Sequence, residues 1–470
     1  MKTIAIYCAG RNELPPPGIK GVQYFPDRAC MWDKLAEQYP DTQLRIYFNL
    51  PGEFIVDMWP DIFRKSDLGS YIALDEDASV EDIAERIAAD QPDLAIAFSI
   101  PILPYDWSAL RDAMVGEELR RKGIKTIAHS IRTASHALEK DRCSDYLCQN
   151  GFFVAKSLSV RNTLFQAHKI NTAIPVNVYR EYVLRMIREM HFPVVIKPTV
   201  FSASDRLHVA SDIEDAVKTM DSWPSDSDFL IEEQIIGTNF GIEVYGTPGN
   251  YHVMEPVMFS AGRNGVPDPY EVVKAGPVLA DHYRIRHLKK EIMRLAELYE
   301  LSGTAQVDLI FSEGEWYIIE INARHSLMTE ISAQIERKTT LDIYGSLAEC
   351  DIRGTDITDT LRFACDFKTP FLKDDTIRQM MKLYPCIASV MRLQTAVSTD
   401  GKVEYCEFVV TAETAEKLME DMIRLKEGTE NIVSDNTIAG LNSILNEMEL
   451  EQEVGDFDED THDPCLRFQK

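Results

Sequence analysis

Three residues stand out for the chemistry they could do: Asp308, Glu320 and Asn322, hard oxygen donors set into an otherwise apolar run. Two carboxylates and an amide oxygen on one patch repel one another unless a cation neutralises them, and an all-oxygen donor set suits Mg²⁺ or Mn²⁺. Arg324 follows Asn322 by the same two-residue step that separates Asn322 from Glu320. A single acid on an exposed sheet face is ordinarily just solvated. The whole spaced set, embedded in β-branched and aromatic residues, points instead to a divalent-cation site.

A β-hairpin is the element that must position them. Residues 306–311 and 316–321 are rich in strand formers, and Ser312-Glu313-Gly314-Glu315 supplies turn chemistry between them. Alternation places Glu320 and Asn322 on one face. For Asp308 to lie opposite Glu320 the connecting loop must hold an odd number of residues. Gly314, free to take positive φ, therefore predicts a three-residue or bulged turn.

The order Asp308, Glu320, Asn322, Arg324 resembles the metal and acyl-phosphate site of the ATP-grasp superfamily, in particular biotin carboxylase, carbamoyl phosphate synthetase and the L-amino acid ligases. The segment Glu320-Ile-Asn-Ala-Arg-His-Ser326 is especially similar to the carbamoyl phosphate synthetase version, and a looser likeness to D-alanine:D-alanine ligase covers roughly residues 136–345. Where those last enzymes carry an arginine two residues before the first metal ligand this chain has Gln306, which disfavours a D-Ala-D-Ala activity.

The resemblance assigns further residues. Residues 136–156 read as a helix stopped by Gly151, and Lys140 falls at the family's first phosphate-binding lysine. An amphipathic helix near 178–190 precedes the buried-type strand Phe192-Pro-Val-Val-Ile-Lys197, whose lysine needs an anionic partner to stay charged and matches the second phosphate-binding lysine. The phosphate-covering loop falls at 199–206, with Ser202 and Ser204 as hydroxyl donors and, unlike the family, no glycine. Phe229-Leu-Ile-Glu-Glu233 resembles the adenine hinge, placing Glu232, Glu233 and Ile235 at the base, while Asn239 stands where a ribose-binding glutamate is usual. Arg263 and His325 are candidate substrate contacts.

Ahead of this region, short apolar runs at 3–8, 44–48, 94–99 and 125–129 alternate with helical patterns, which implies a parallel sheet with covering helices. One of those helices opens on the capping signature Ser79-Val-Glu-Asp82. Beyond residue 352, strands at 386–396 and 403–410 joined across Asp400-Gly401, then a helix at 412–427, suggest a small C-terminal α+β cap. The expected fold is mixed α/β and α+β of ATP-grasp type. Its divisions are 1–135 (parallel-sheet domain), 136–236 (small subdomain), 237–352 (large subdomain with the metal site), 353–447 (cap) and an acidic tail at 448–470.

At 470 residues the chain can bury several cores, and its net charge of −27 argues against nucleic acid or an anionic membrane as partner. Nine scattered cysteines without a C-x-x-C pair fit reduced thiols. The N-terminus lacks a signal-peptide pattern and no apolar run approaches a membrane span, so a cytoplasmic location is expected. The resemblance implies ATP and two Mg²⁺ (or Mn²⁺) as cofactors, carboxylate and amine substrates, and a homodimer. The implied activity is ADP-forming ligation of an acid to an amine through an acyl phosphate, with Arg324 stabilising the oxyanion. Activation of a carboxylate for another nucleophile, and a non-catalytic ATP-binding subunit suggested by the glycine-free loop, are the alternatives.

Overall fold

The computed structural model describes residues 2–10, 19–49, 55–59, 62–64, 67–75, 77–101, 107–171, 173–200, 207–225, 227–262, 265–266, 271–349, 360–395, 404–429 and 432–449. The foreseen turn Asp400-Gly401 and the acidic tail lie outside the described residues. Among the described residues no helix is long and apolar enough to cross a membrane.

Four of the apolar runs near the N-terminus join Ser70–Leu74 in a five-stranded parallel sheet ordered Ser70–Leu74, Thr42–Asn49, Lys2–Cys8, Leu94–Ala97, Thr126–Ile127. Both faces are covered, which is why the strands read as continuous apolar runs. The helix Val80–Ala88 begins with the predicted reciprocal cap between Ser79 and Asp82.

At the end of strand Lys2–Cys8, Asp112 from the helix Ser108–Arg121 is buried and accepts a 2.6 Å hydrogen bond from the Ala9 amide. Burial pushes its carboxyl up to about 7, against the opposing hydrogen bond from Ala9. The unfolded chain titrates this group near 4. The native state therefore holds the proton more tightly, and stability falls as pH rises from about 4 to about 7. Asp112→Asn keeps the acceptor oxygen and removes the charge. It is expected to flatten the decline between pH 4 and pH 7 by roughly 3 kcal/mol, read from urea midpoints at each pH.

A second, four-stranded antiparallel sheet runs His208–Ala210, Val194–Pro198, Phe229–Glu233, Ser157–Val160. Val194, Ile196, Phe229 and Ile231 bury one face against the helices Val178–Arg188 and Ile213–Ser222. Alternation then sends Lys197 and Glu232 to the other face. Residues 136–156 are not one helix: the chain forms Ile131–Leu138 and Lys140–Gln149, broken at Glu139, whose ψ of 96° is extended. The break makes Lys140 a helix N-terminus, its amide bonded to the Thr199 carbonyl at 3.0 Å.

Among the described residues the third sheet has twelve strands. The hairpin Gly303–Ser312 and Glu315–Asn322 forms one edge, followed by Thr238–Thr247, Val257–Phe259, Lys274–Gly276, Phe363–Pro370, Glu404–Ala412, Ile387–Thr395 and Ile19–Phe25. The C-terminal strands of the expected α+β cap extend the sheet that carries the site, and a strand from the N-terminal division joins beyond them. Cys365, Phe367 and Phe408 share one core with Phe240, Leu309 and Ile321, so the apolar face is continuous across the sheet. Phe153 ties the second sheet to the hairpin, its carbonyl accepting from the Ile318 amide at 2.9 Å.

The hairpin's turn differs from the odd-numbered loop read from the sequence. Ser312 pairs with Glu315, leaving the two-residue loop Glu313-Gly314 with φ of 52° and 84°. Left-handed conformation at both positions is the turn whose twist matches the strands. The parity is restored inside the strand: Leu309 pairs with Ile318 but Asp308 pairs with Glu320, so Ile319 is the extra residue of a bulge.

Candidate active site

The bulge places Asp308 directly opposite Glu320, with Gln306 opposite Asn322, on the sheet face away from the core residues Val307, Leu309 and Ile321. Asp308 Oδ1 accepts from Gln306 Nε2 at 2.8 Å, and Oδ2 accepts from Asn322 Nδ2 at 3.2 Å. Asn322 Oδ1 in turn accepts from the Arg324 guanidinium at 3.0 Å. Glu320 Oε1 accepts from Lys140 Nζ at 2.5 Å, and Lys197 Nζ lies 2.7 Å from Glu232 Oε2.

The charges are interdependent. Burial would pull Lys197 down, but Glu232 and then Glu320 outweigh it and raise the ammonium above its ordinary value. Burial would likewise raise Glu320; Lys140 and Lys197 reverse that and hold it below the usual range. Asp308 is pushed up to about 7, by burial first and by the Glu320 charge next, with Arg324 and Gln306 opposing. A carboxylate that costs free energy to ionise beside a second carboxylate is a site that a divalent cation stabilises.

The donor set fits such an ion. Asp308 and Glu320 supply carboxylate oxygens, and Asn322 can supply its amide oxygen once that is released from Arg324. Among the described residues no three His, Cys, Asp or Glu side chains converge. A centre with two protein carboxylates matches the sparse protein ligation of Mg²⁺, which leaves coordination sites for phosphate and water. A cleft of about 20 Å³, the scale of an ion or a water, is lined by Lys140, Val200, Glu320, Asn322 and Arg324.

The structure therefore gathers Lys140, Lys197, Glu232, Asp308, Glu320, Asn322 and Arg324. It does not bring Glu233 to them: that carboxylate projects the other way, to Lys156 Nζ at 2.8 Å and the His191 amide at 3.0 Å. Ile235 is half-buried in the segment after that strand. Asn239 lies on the site's face, opposite Ile310, with Nδ2 3.4 Å from the Gly265 carbonyl. His325 is buried, and burial with the Arg28 and Arg324 charges holds it well below its ordinary value, so the ring is neutral. Ser202, Ser204 and Arg263 lie outside the described residues.

Two acidic features escaped the sequence reading. Glu243, buried in strand Thr238–Thr247 opposite Gln306, accepts from Ser326 Oγ at 2.6 Å and Thr329 Oγ1 at 3.0 Å, and burial pushes it up to about 7. Half-buried Lys274 places its Nζ 3.2 Å from Asp366 and 3.3 Å from Glu407, two buried acids on neighbouring strands. The only sequence signal is an acid interrupting an apolar strand, as in Phe363-Ala-Cys-Asp-Phe367.

Residues 161–326 match the ATP-grasp domain family, and the chain carries an ATP-grasp domain. Over 138 residues it is 25% identical to carbamoyl-phosphate synthase of Methanobrevibacter smithii, a match spanning 29% of this chain and 37% of that relative, well short of two thirds of its length. The whole fold is similar to L-amino acid ligase from Bacillus licheniformis, with a TM-score of 0.61, 13% identity, and 91% of this chain and 97% of that one covered. It is similar also to the biotin carboxylase domain of 2-oxoglutarate carboxylase from Hydrogenobacter thermophilus, a dimer crystallised with MgADP, ADP and bicarbonate. There the TM-score is 0.59 and identity 14%, with 95% and 94% covered. The fold is the ATP-grasp fold, as the hairpin motif implied.

Proposed function

We propose that the protein is an ATP-dependent carboxylate–amine ligase. A substrate carboxylate oxygen bonds to the γ-phosphorus of ATP as the bond to the β–γ bridging oxygen breaks, releasing ADP. The amine lone pair then bonds to the acyl carbon, the phosphate departs with the carbon–oxygen bonding pair, and the amine proton passes to the released phosphate.

Lys140 and Lys197 hold phosphate oxygens, exchanging their present carboxylate partners for the nucleotide. Glu232 and the backbone near Ile235 meet the base, and Asn239 the ribose. Asp308, Glu320 and Asn322 would hold divalent cations, which when bound neutralise charge on the β- and γ-phosphates. Arg324 faces the carbonyl oxygen as it gains charge. A homodimer is the proposed assembly, the state in which the similar biotin carboxylase domain of 2-oxoglutarate carboxylase crystallised.

What supports this most is one run of contacts, Lys140–Glu320 on one side and Asp308–Asn322–Arg324 on the other. It brings an ammonium, two carboxylates, an amide and a guanidinium to a single sheet face, which supports the roles proposed for them. The test is a phosphate-release screen with MgATP across paired acids and amines. Release that requires both substrates is expected. Substrate-independent hydrolysis, or ATP binding without γ-phosphate loss across the panel, would refute the ligase.

A further inference from the structure

The connection that carries Arg324 is held from behind. Strand Glu315–Asn322 ends just before Arg324, and the helix Met328–Ile335 begins just after it. Leu327, at the start of that helix, makes no side-chain cap bond to it. Ser326 caps it instead: its Oγ accepts from the Met328 amide at 3.0 Å, while its own amide donates to Thr329 Oγ1 at 3.0 Å. Each hydroxyl then has its single O–H to give, and both give it to one oxygen, Oε1 of Glu243, at 2.6 Å and 3.0 Å.

Sheet geometry brings Glu243 there. It lies opposite Gln306, which lies opposite Asn322, so the three form one row across the sheet beside the row Gly241, Asp308, Glu320. Ile242 and Val244 belong to the core, and alternation sends Glu243 to the face that carries the site. A carboxyl as buried as this one costs free energy unless hydrogen bonds or a cation offset it. Burial pushes it up to about 7; the two hydroxyls and then the Arg324 charge work against that rise, and the Asp308 charge adds to it.

The backbone around Arg324 is thus tied at three points. The Arg324 amide donates to the Asn322 carbonyl at 2.8 Å, the His325 amide donates to the Ser99 carbonyl at 2.9 Å, and Ser326 is bonded to Glu243. The first two ties are backbone bonds that substitution leaves in place. The third is a side chain and can be deleted.

We propose that Glu243 is a positioning residue for the acyl-transfer half of the reaction: through Ser326 and Thr329 it fixes the connection from which Arg324 projects, and with it the place of the guanidinium beside the reacting carbonyl. The clamp stands on the contacts themselves. Its consequence for catalysis rests on the ligase reading and on the role given there to Arg324.

The test compares Glu243→Leu, close in size but unable to accept a hydrogen bond, with Glu243→Gln, which keeps the Oε1 acceptor and drops the charge. Glu243→Leu should slow amide synthesis about 10²-fold, the scale of a small misplacement of a catalytic group. The KM for ATP and the carboxylate-dependent exchange of label between ADP and ATP should stay within about threefold, because Arg324 is assigned to the later step. Glu243→Gln should synthesise amide within about tenfold of wild type, since the acceptor for both hydroxyls remains. In an Arg324→Ala background, Glu243→Leu should cost less than about threefold more, the group it positions being gone.

Equal loss of synthesis from Glu243→Leu in the two backgrounds, or exchange falling in step with synthesis, would make Glu243 merely structural and overturn the proposal. If Glu243→Leu does not fold, Thr329→Val takes its place: about tenfold slower synthesis is expected, and undiminished synthesis overturns it. The clamp is read separately, by hydrogen–deuterium exchange of the full chain over residues 323–329. Faster exchange there in the variant, together with a wild type that joins no acid to any amine, would defeat the ligase and leave Glu243 holding the Arg324 connection. Unchanged hydrogen exchange would defeat the clamp whatever the activity.

Discussion

Glu320→Gln is expected to lower MgATP-dependent phosphate release by on the order of 10³-fold or more, because metal-centred charge stabilisation of phosphoryl transfer contributes several kcal/mol. The side chain keeps its shape, so the hairpin register and the Ile319 bulge have no reason to change. What changes is charge. Lys140, 2.5 Å away, loses its ionic partner, and Lys197 loses one of the two carboxylates that keep it protonated. Asp308 loses the neighbour that helps push it up to about 7 and should titrate lower.

The variant should therefore bind metal-free ADP at least as well as the wild type while losing the additional thermal stabilisation that Mg²⁺ gives to the ADP complex. A residue that merely supported the fold would show the opposite: a lower melting temperature of the ligand-free protein and an undiminished magnesium increment. A rate within tenfold of wild type would place the metal elsewhere.

Much of this arrangement was legible because it is local. The hairpin strands, the Ser79 cap and the lysine ending an apolar strand each follow from periodicity or capping within a few residues. Even the Lys197–Glu232 pair follows from alternation once their strands adjoin, since Val195 pairs with Glu232 and the two charges share the face that the core leaves.

The rest depended on events the chain does not announce nearby. A two-residue turn and a bulge at Ile319 give Asp308 the same partner as an odd loop would, so the placement of the carboxylates could be read while the means could not. The C-terminal strands carried ordinary hairpin signals, but their joining the site's own sheet was decided at a distant edge, where Phe363–Pro370 meets Lys274–Gly276. Arg28 lies about three hundred positions from His325, and only tertiary packing brings its charge near enough to act on that ring. The helix break past Leu138 has no local signal, because 136–156 contains no proline or glycine before Gly151; the break at Glu139 accompanies the Lys140 amide bonding to Thr199.

Arg324→Ala is expected to reduce amide formation by roughly 10²–10³-fold, the usual effect of deleting one preorganised oxyanion donor, with the KM for ATP within about threefold. The separation follows from its contacts. The guanidinium reaches Asn322 Oδ1 and the His325 carbonyl, whereas the cations that act most strongly on Glu320 are Lys140 and Lys197. Deleting it should also free the Asn322 oxygen, which does not impair that residue as a ligand.

Carboxylate-dependent exchange of label between ADP and ATP isolates the phosphoryl-transfer step from the amine step. In Arg324→Ala this exchange should persist at a substantial fraction of the wild-type rate while amide synthesis collapses. Arg324→Lys keeps the charge but loses the planar fork, and should fall between the two, at roughly 10-fold to 100-fold below wild type. Exchange and synthesis declining in parallel would mean that Arg324 serves the phosphates, and the division of labour between it and the two lysines would have to be redrawn.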